Sequence, residues 1–170
     1  WPNAGYHAPF RLDALPDTSG DYLTDRLTDE ALKYIEQNKD RRFFLYLSHF
    51  AVHDPIQGRA DLVAKYQAKL KRSAASTRPP YILEGNPDGK DAPTRAQLDA
   101  LIKEDAYRGY HVLPKQTVKI KQEQDNVQFA AMVENMDENF GRVIAKLEAL
   151  GLSENTIVIF TSDNGGMSAA

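Results

Sequence analysis

The sequence lacks several features that would narrow the class of protein. It contains no cysteine, which excludes disulfides, thiolate metal ligands and a cysteine nucleophile within its 170 residues. No apolar run approaches the roughly 20 residues that span a bilayer. The formal net charge of −3, with acids and bases interspersed, gives no electrostatic signature for nucleic acid or an anionic membrane. The chain as a whole is 42% hydrophobic and 26% charged, which is the balance of a globular domain.

The first ten residues have no initiator Met, no basic stretch and no apolar stretch. We therefore do not expect this stretch to be a signal peptide. We expect the chain to be an interior part of a longer protein.

Helical periodicity accounts for much of the chain. Apolar residues at spacings of three and four predict helices over Asp21–Asn38, Arg59–Arg72, Thr94–Tyr107 and Gln124–Leu150. Thr24 or Asp21 is expected to cap the first helix, and Gly151 to end the last. Residues 73–122 are rich in proline and glycine and are expected to form a loop-rich insertion.

Two continuous apolar runs, Arg42–Ser48 and Ile157–Phe160, predict strands of another kind. Runs without alternation are typical of parallel strands that are covered on both faces. Two strands cannot form such a sheet, so further strands must lie either within residues 73–122 or outside this chain. We favour the second.

Polar residues follow the second of these runs. Asp163 and Asn164 stand beyond Phe160 and are followed by Gly165 and Gly166. In open α/β sheets, ligands bind beyond the carboxyl ends of the strands. A carboxylate beside an amide oxygen suits a hard cation such as Ca²⁺ or Mg²⁺. An ordinary capped turn also explains this pattern.

Two histidines follow the first run. His49 and His53 are four residues apart, so both could face one crevice, where a protonated imidazole could bind an anionic oxygen or protonate a leaving group. The alternative for each is a hydrogen-bonded loop residue. Zinc is disfavoured because no third histidine lies near them in sequence.

Three stretches, taken in order, resemble the formylglycine-dependent sulfatases of the arylsulfatase type: Phe43–Pro55, Met136–Val143 and Leu150–Gly165. The resemblance covers most of residues 20–166 and is least evident over 73–122. It implies an α/β fold, namely part of an alkaline-phosphatase-like α/β/α sandwich whose mostly parallel central sheet is incomplete in this chain. Residues 1–170 would be the central segment of one catalytic domain.

The resemblance also implies roles for a few residues. His53 matches the family's histidine that contacts the substrate sulfate, although Asp54 stands where threonine is common. Asp163 and Asn164 match two ligands of Ca²⁺, the cation expected in preference to Mg²⁺. The cysteine or serine motif that becomes formylglycine is absent, as are the family's early Asp-Asp pair, its Gly-Lys-Trp-His stretch and its late lysine. We therefore expect the nucleophile outside this chain, and no activity from the chain alone.

The activity implied is hydrolysis of sulfate esters or N-linked sulfate on a sulfated small molecule or carbohydrate, in the periplasm, the lysosome or the exterior. Two alternatives stay open: a phosphodiesterase or phosphatase of the same superfamily, and a non-catalytic binding domain of sulfatase descent. Asn164 argues against a two-zinc phosphodiesterase, where Asp-His is more common. Exposed sheet edges predict self-association of the isolated chain.

Overall fold

The structure is a computed structural model and describes residues 5–16, 18–73, 76–104 and 112–166. The chain divides into two compact units. Unit 1 comprises residues 1–73 and 126–161, and unit 2 comprises residues 74–125 and 162–170. No helix in the described ranges is long and apolar enough to cross a membrane.

Unit 1 contains helices α1 (Leu23–Asn38), α2 (Ala60–Arg72) and α4 (Val127–Ala149), followed by a short 3₁₀ turn at Ser153–Asn155. Both α1 and α2 pack against α4. The main core joins this packing to the N-terminal segment, through the buried side chains of Tyr6, Phe10, Leu15, Tyr22, Leu23 and Met132. Three of the predicted helices are thereby confirmed in position.

The ends of these helices differ in part from the prediction. Tyr22 is the N-cap of α1 and makes no side-chain capping bond, so the expectation that Thr24 or Asp21 caps this helix is wrong. Thr24 lies inside the helix, where it is buried. The Asn126 side chain caps α4 by accepting from two backbone amides. Gly151 follows the end of α4 with φ +68°, the left-handed conformation that suits glycine at a helix stop.

Unit 2 contains strands β1 (Tyr81–Gly85) and β2 (Thr117–Lys121) and helix α3 (Arg95–Leu101). The strands pair antiparallel, from Tyr81 opposite Lys121 to Gly85 opposite Thr117. A capping box between Thr94 and Gln97 begins α3. The expected helix ends earlier than Tyr107, and the part of that prediction over residues 105–107 lies outside the described residues.

The two apolar runs form neither helix nor strand in the structure, and neither has a strand partner among the described residues. Ile157 is 90% exposed and Phe44 is 84% exposed, so the expectation that these runs are buried is wrong for this chain. A run can be covered on both faces only where neighbouring strands and helices supply the cover. In the described residues the two strands that do pair, β1 and β2, pair with each other, and the mostly parallel sheet stays a prediction.

Candidate functional site

His53 lies on a loop of unit 1 that leads from the apolar run Arg42–Ser48 to α2. The loop turns where the His53 amide donates to the carbonyl oxygen of Phe50 at 3.0 Å. The imidazole is exposed. Its Nδ1 lies 3.3 Å from the carbonyl oxygen of Asp54, which favours the tautomer that is protonated at Nδ1.

Two tyrosines hold the backbone of this loop from the N-terminal side. The Tyr6 hydroxyl donates to the carbonyl oxygen of His53 at 3.1 Å, and the Tyr6 amide donates to Gln57 Oε1 at 3.0 Å. The Tyr22 hydroxyl donates to the carbonyl oxygen of Gln57 at 2.8 Å. The two rings are 1% and 3% exposed and stack with their centroids 5.9 Å apart. The loop therefore rests on a buried aromatic pair.

Helix α4 holds the same loop from the other side. The Gln57 amide donates to Met132 Sδ at 3.3 Å, and the Gly58 amide donates to Gln128 Oε1 at 2.8 Å. Gly58 packs so closely that a Cβ placed on it would lie 2.6 Å from the Cβ of Ala131. Only a residue without a side chain fits here without displacing the helix.

Burial keeps both tyrosine hydroxyls protonated. It raises the pKa of Tyr6 to about 12, and it raises the pKa of Tyr22 as well. A phenolate would be poorly solvated in this core. At neutral pH both groups are therefore hydrogen-bond donors.

His49 has a different environment from His53. Its Nδ1 is buried and has no hydrogen-bond partner among the described residues. Burial lowers the pKa of the imidazole, because the charged form is poorly solvated there. At pH 7 the neutral ring is thus favoured, which does not suit His49 as a cationic group that binds an anion. The expectation that both histidines face one crevice stays a prediction.

Asp163 and Asn164 follow the apolar run Ile157–Phe160 and are exposed. The Ser162 hydroxyl donates to the carbonyl oxygen of Asn164 at 2.6 Å, which folds the backbone back at this point. These residues belong to unit 2, whereas His49 and His53 belong to unit 1. Among the described residues, no three His, Cys, Asp or Glu side chains lie together in a way that could hold a metal ion.

Comparison with known proteins identifies the family. The family model for Sulfatase matches residues 2–170. The chain belongs to the sulfatase family. It is similar to an uncharacterized sulfatase of Schizosaccharomyces pombe, with 30% identity over 160 residues, covering 86% of this chain and 26% of that protein. It is also similar to a sulfatase of Formosa agariphila, with 31% identity over 168 residues, covering 93% of this chain and 21% of that protein.

An arylsulfatase of Klebsiella aerogenes is 24% identical over 133 residues, covering 75% of this chain and 26% of that protein. The chain spans about a quarter of the length of these relatives. Membership of the sulfatase family confirms the resemblance drawn from the three stretches of sequence, and it fits an alkaline-phosphatase-like fold.

The sequence analysis of this sulfatase chain missed the residues that support the His53 loop. Gln57 is hydrogen-bonded to Tyr6, Tyr22 and Met132 across separations of 35 to 75 residues. No local pattern encodes such contacts. The one available signal is the aromatic content of the otherwise irregular N-terminal segment, since aromatic side chains there need a core to bury them.

Proposed function

We propose that the sulfatase containing this chain hydrolyses sulfate esters or N-linked sulfate, with a formylglycine nucleophile that lies outside residues 1–170. The match of the sulfatase family over residues 2–170 is the observation that carries this proposal. The lack of cysteine within the chain is the reason to place the nucleophile elsewhere.

His53 is proposed to bind the sulfate group. It is exposed on a loop whose backbone is hydrogen-bonded on both sides, which suits a side chain that must meet a ligand in one orientation. In its protonated form the imidazole would donate a charge-assisted hydrogen bond to a sulfate oxygen. The substrate would be a sulfated small molecule or carbohydrate.

Asp163 and Asn164 are proposed to ligate Ca²⁺. Their carboxylate and amide oxygens are of the kind that Ca²⁺ prefers, and both side chains are exposed. Their number is too small, because Ca²⁺ takes about six to eight oxygen ligands. The other ligands would come from outside this chain. When bound, the cation would neutralise negative charge on the sulfate oxygens.

Activity of the longer protein tests the proposal. We expect it to hydrolyse 4-nitrophenyl sulfate, with kcat/KM reduced about 100-fold or more by His53→Ala, in line with the loss of a group that stabilises developing charge. Asp163→Asn should raise the Ca²⁺ concentration needed for half-maximal activity. Asp88→Asn, which neutralises an exposed carboxylate elsewhere in unit 2, is the matched control and should leave this Ca²⁺ concentration unchanged.

The isolated 170-residue chain should show no turnover of the same ester and only weak Ca²⁺ binding. Measurable hydrolysis by the purified chain would contradict the proposal that the nucleophile is absent from it. Hydrolysis of a phosphate diester in preference to the sulfate ester by the longer protein would favour the phosphodiesterase alternative. We also propose, from the family resemblance alone, that the protein works in the periplasm, the lysosome or the exterior.

A further inference from the structure

We infer that Tyr6, Tyr22 and Gln57 are positioning residues that fix His53 against the substrate sulfate. The inference rests on the proposed function, since it presumes that His53 binds sulfate. It adds that the N-terminal segment before α1 supports the sulfate-binding site and is not only a surface loop.

The hydrogen bonds from the N-terminal segment act on the backbone of His53 itself and on nearby Gln57. The Tyr6 hydroxyl bonds the carbonyl oxygen of His53 itself, at 3.1 Å. Four residues later, both the carbonyl oxygen and the side-chain oxygen of Gln57 accept from the same N-terminal segment, at 2.8 Å from the Tyr22 hydroxyl and 3.0 Å from the Tyr6 amide. The segment from His53 to Gln57 is thus hydrogen-bonded to the N-terminal segment at both of its ends.

The support is buried and tightly packed. Tyr6 and Tyr22 lie in the main core with Phe10 and Met132, and the loop residues Phe50, Val52 and Ile56 pack against that core. Water has little access to replace a lost hydroxyl there, so removal of one hydrogen bond should shift the loop rather than hydrate it. Displacements of about 1 Å in a reacting group can cost about 100-fold in rate.

Gly5 gives an independent sign that the contact between the segment and the loop is close. Its φ is +85°, and a Cβ placed on it would lie 2.2 Å from Gln57 Oε1. An L-residue at this position would therefore be strained and would also push the Gln57 amide away. The backbone at Gly5 leaves the space in which Gln57 accepts from Tyr6.

The test uses the longer, active protein and removes one hydroxyl at a time. Tyr6→Phe and Tyr22→Phe should each lower kcat/KM for 4-nitrophenyl sulfate by a factor between about five and about 100. The lower limit corresponds to the loss of one hydrogen bond, and the upper limit to a displaced reacting group. Tyr34→Phe is the matched control. Its hydroxyl also donates to a backbone carbonyl, that of Phe44 at 3.4 Å, but away from the His53 loop. It should change kcat/KM by less than about two-fold.

Two readouts separate positioning from mere destabilisation. A loss of folded protein lowers the apparent kcat at unchanged KM, whereas a displaced His53 should also raise the KM of the ester and the inhibition constant of inorganic sulfate. The second readout is a double-mutant cycle. In a His53→Ala background, Tyr6→Phe should have less than about a two-fold effect, because the residue that it positions is gone.

The outcomes are distinguishable. If His53→Ala lowers activity but Tyr6→Phe and Tyr22→Phe do not, or if their losses persist in the His53→Ala background, the positioning role is overturned and the proposed function stands. If His53→Ala leaves activity unchanged, the proposed sulfate-binding role of His53 fails and the positioning role fails with it, while hydrolysis of the ester still tests the proposed activity. Gln57→Glu, which keeps the accepting oxygen, should retain more activity than Gln57→Leu, and equal losses for the two would also count against the inference.

Discussion

A buried polar network around Asp25 in unit 1 allows a sharp test of what holds α1 to α4. The Asp25 carboxylate accepts from the side-chain amides of Asn135 at 2.8 Å and Asn139 at 2.6 Å, and from Arg59 Nη1 at 3.2 Å. Both asparagines are buried, at 0% and 1% exposure. Asp25→Ala should therefore destabilise the chain far more than the loss of a surface carboxylate would.

The magnitude follows from which groups lose their partner. Asn139 keeps a bond to the carbonyl oxygen of Asn135 at 2.8 Å, and Arg59 keeps its bonds to Asp61 and Glu138. The Asn135 amide loses the acceptor described above, which costs about 1–3 kcal/mol for a buried donor, and the lost bond from Asn139 adds about 1 kcal/mol. We expect the free energy of unfolding to fall by about 2–4 kcal/mol in Asp25→Ala.

Asp29 provides the comparison, since its carboxylate pairs with Arg142 at the surface with 36% of the side chain exposed. Asp29→Ala should cost no more than about 1 kcal/mol. Asp25→Asn, which keeps one accepting oxygen, should fall between the two alanine variants. Urea denaturation followed by circular dichroism at 222 nm measures all three. Equal losses for Asp25→Ala and Asp29→Ala would refute the reasoning.

Three further predictions concern the stability and solubility of the isolated chain. Gly58→Ala should cost about 1–3 kcal/mol, because its Cβ would lie 2.6 Å from that of Ala131, whereas Gly141→Ala in open space on α4 should stabilise by about 0.5–1 kcal/mol; similar urea midpoints would contradict this. The folded pKa of Tyr6, about 12, exceeds the ordinary value of 10.0, so the unfolded chain ionises first. The contribution of Tyr6 to the free energy of unfolding should be constant below about pH 10 and be lost between about pH 10 and 12, where Tyr22, whose pKa is also raised, adds to the fall; Tyr6→Phe should therefore make the alkaline fall shallower without removing it. Ile159 is 81% exposed in an apolar run, so the chain should self-associate and Ile159→Ser should reduce this; a clean monomer of the unmodified chain on size exclusion would count against it.

The helices could be predicted because their information is local. The apolar residues of α1 and α4 recur every three or four residues, and the burial of Leu23, Ile35 and Met132 follows that spacing. The pair β1 and β2 was missed although Thr117–Lys121 alternates between Val118, Ile120 and polar residues. The prolines and glycines of residues 73–122 favour the loop interpretation and conceal this period of two.

The burial of Ile157–Phe160 could not be judged from its own residues. A continuous apolar run predicts that its side chains are buried, but whether they are buried depends on the other strands and helices that pack against it. The candidate site shows the same division. His53, Asp163 and Asn164 could be singled out from sequence, whereas the tyrosines that support the His53 loop are joined to it by contacts over 35 and 47 residues. Such contacts follow from tertiary packing, which a single sequence does not state.

Helix α4 contacts two segments of unit 1, namely the loop that carries His53 and the apolar run Ile157–Phe160. Met132 accepts from the loop that carries His53, and Phe140 packs its ring against Phe160, with centroids 5.0 Å apart. Eight residues of helix set these two contacts about 12 Å apart along the axis. The helix therefore fixes both the distance between these two contacts and the angle between them around its axis. One residue inserted between Met132 and Phe140 would turn one end by about 100° against the other, so the two segments could no longer both keep their contacts.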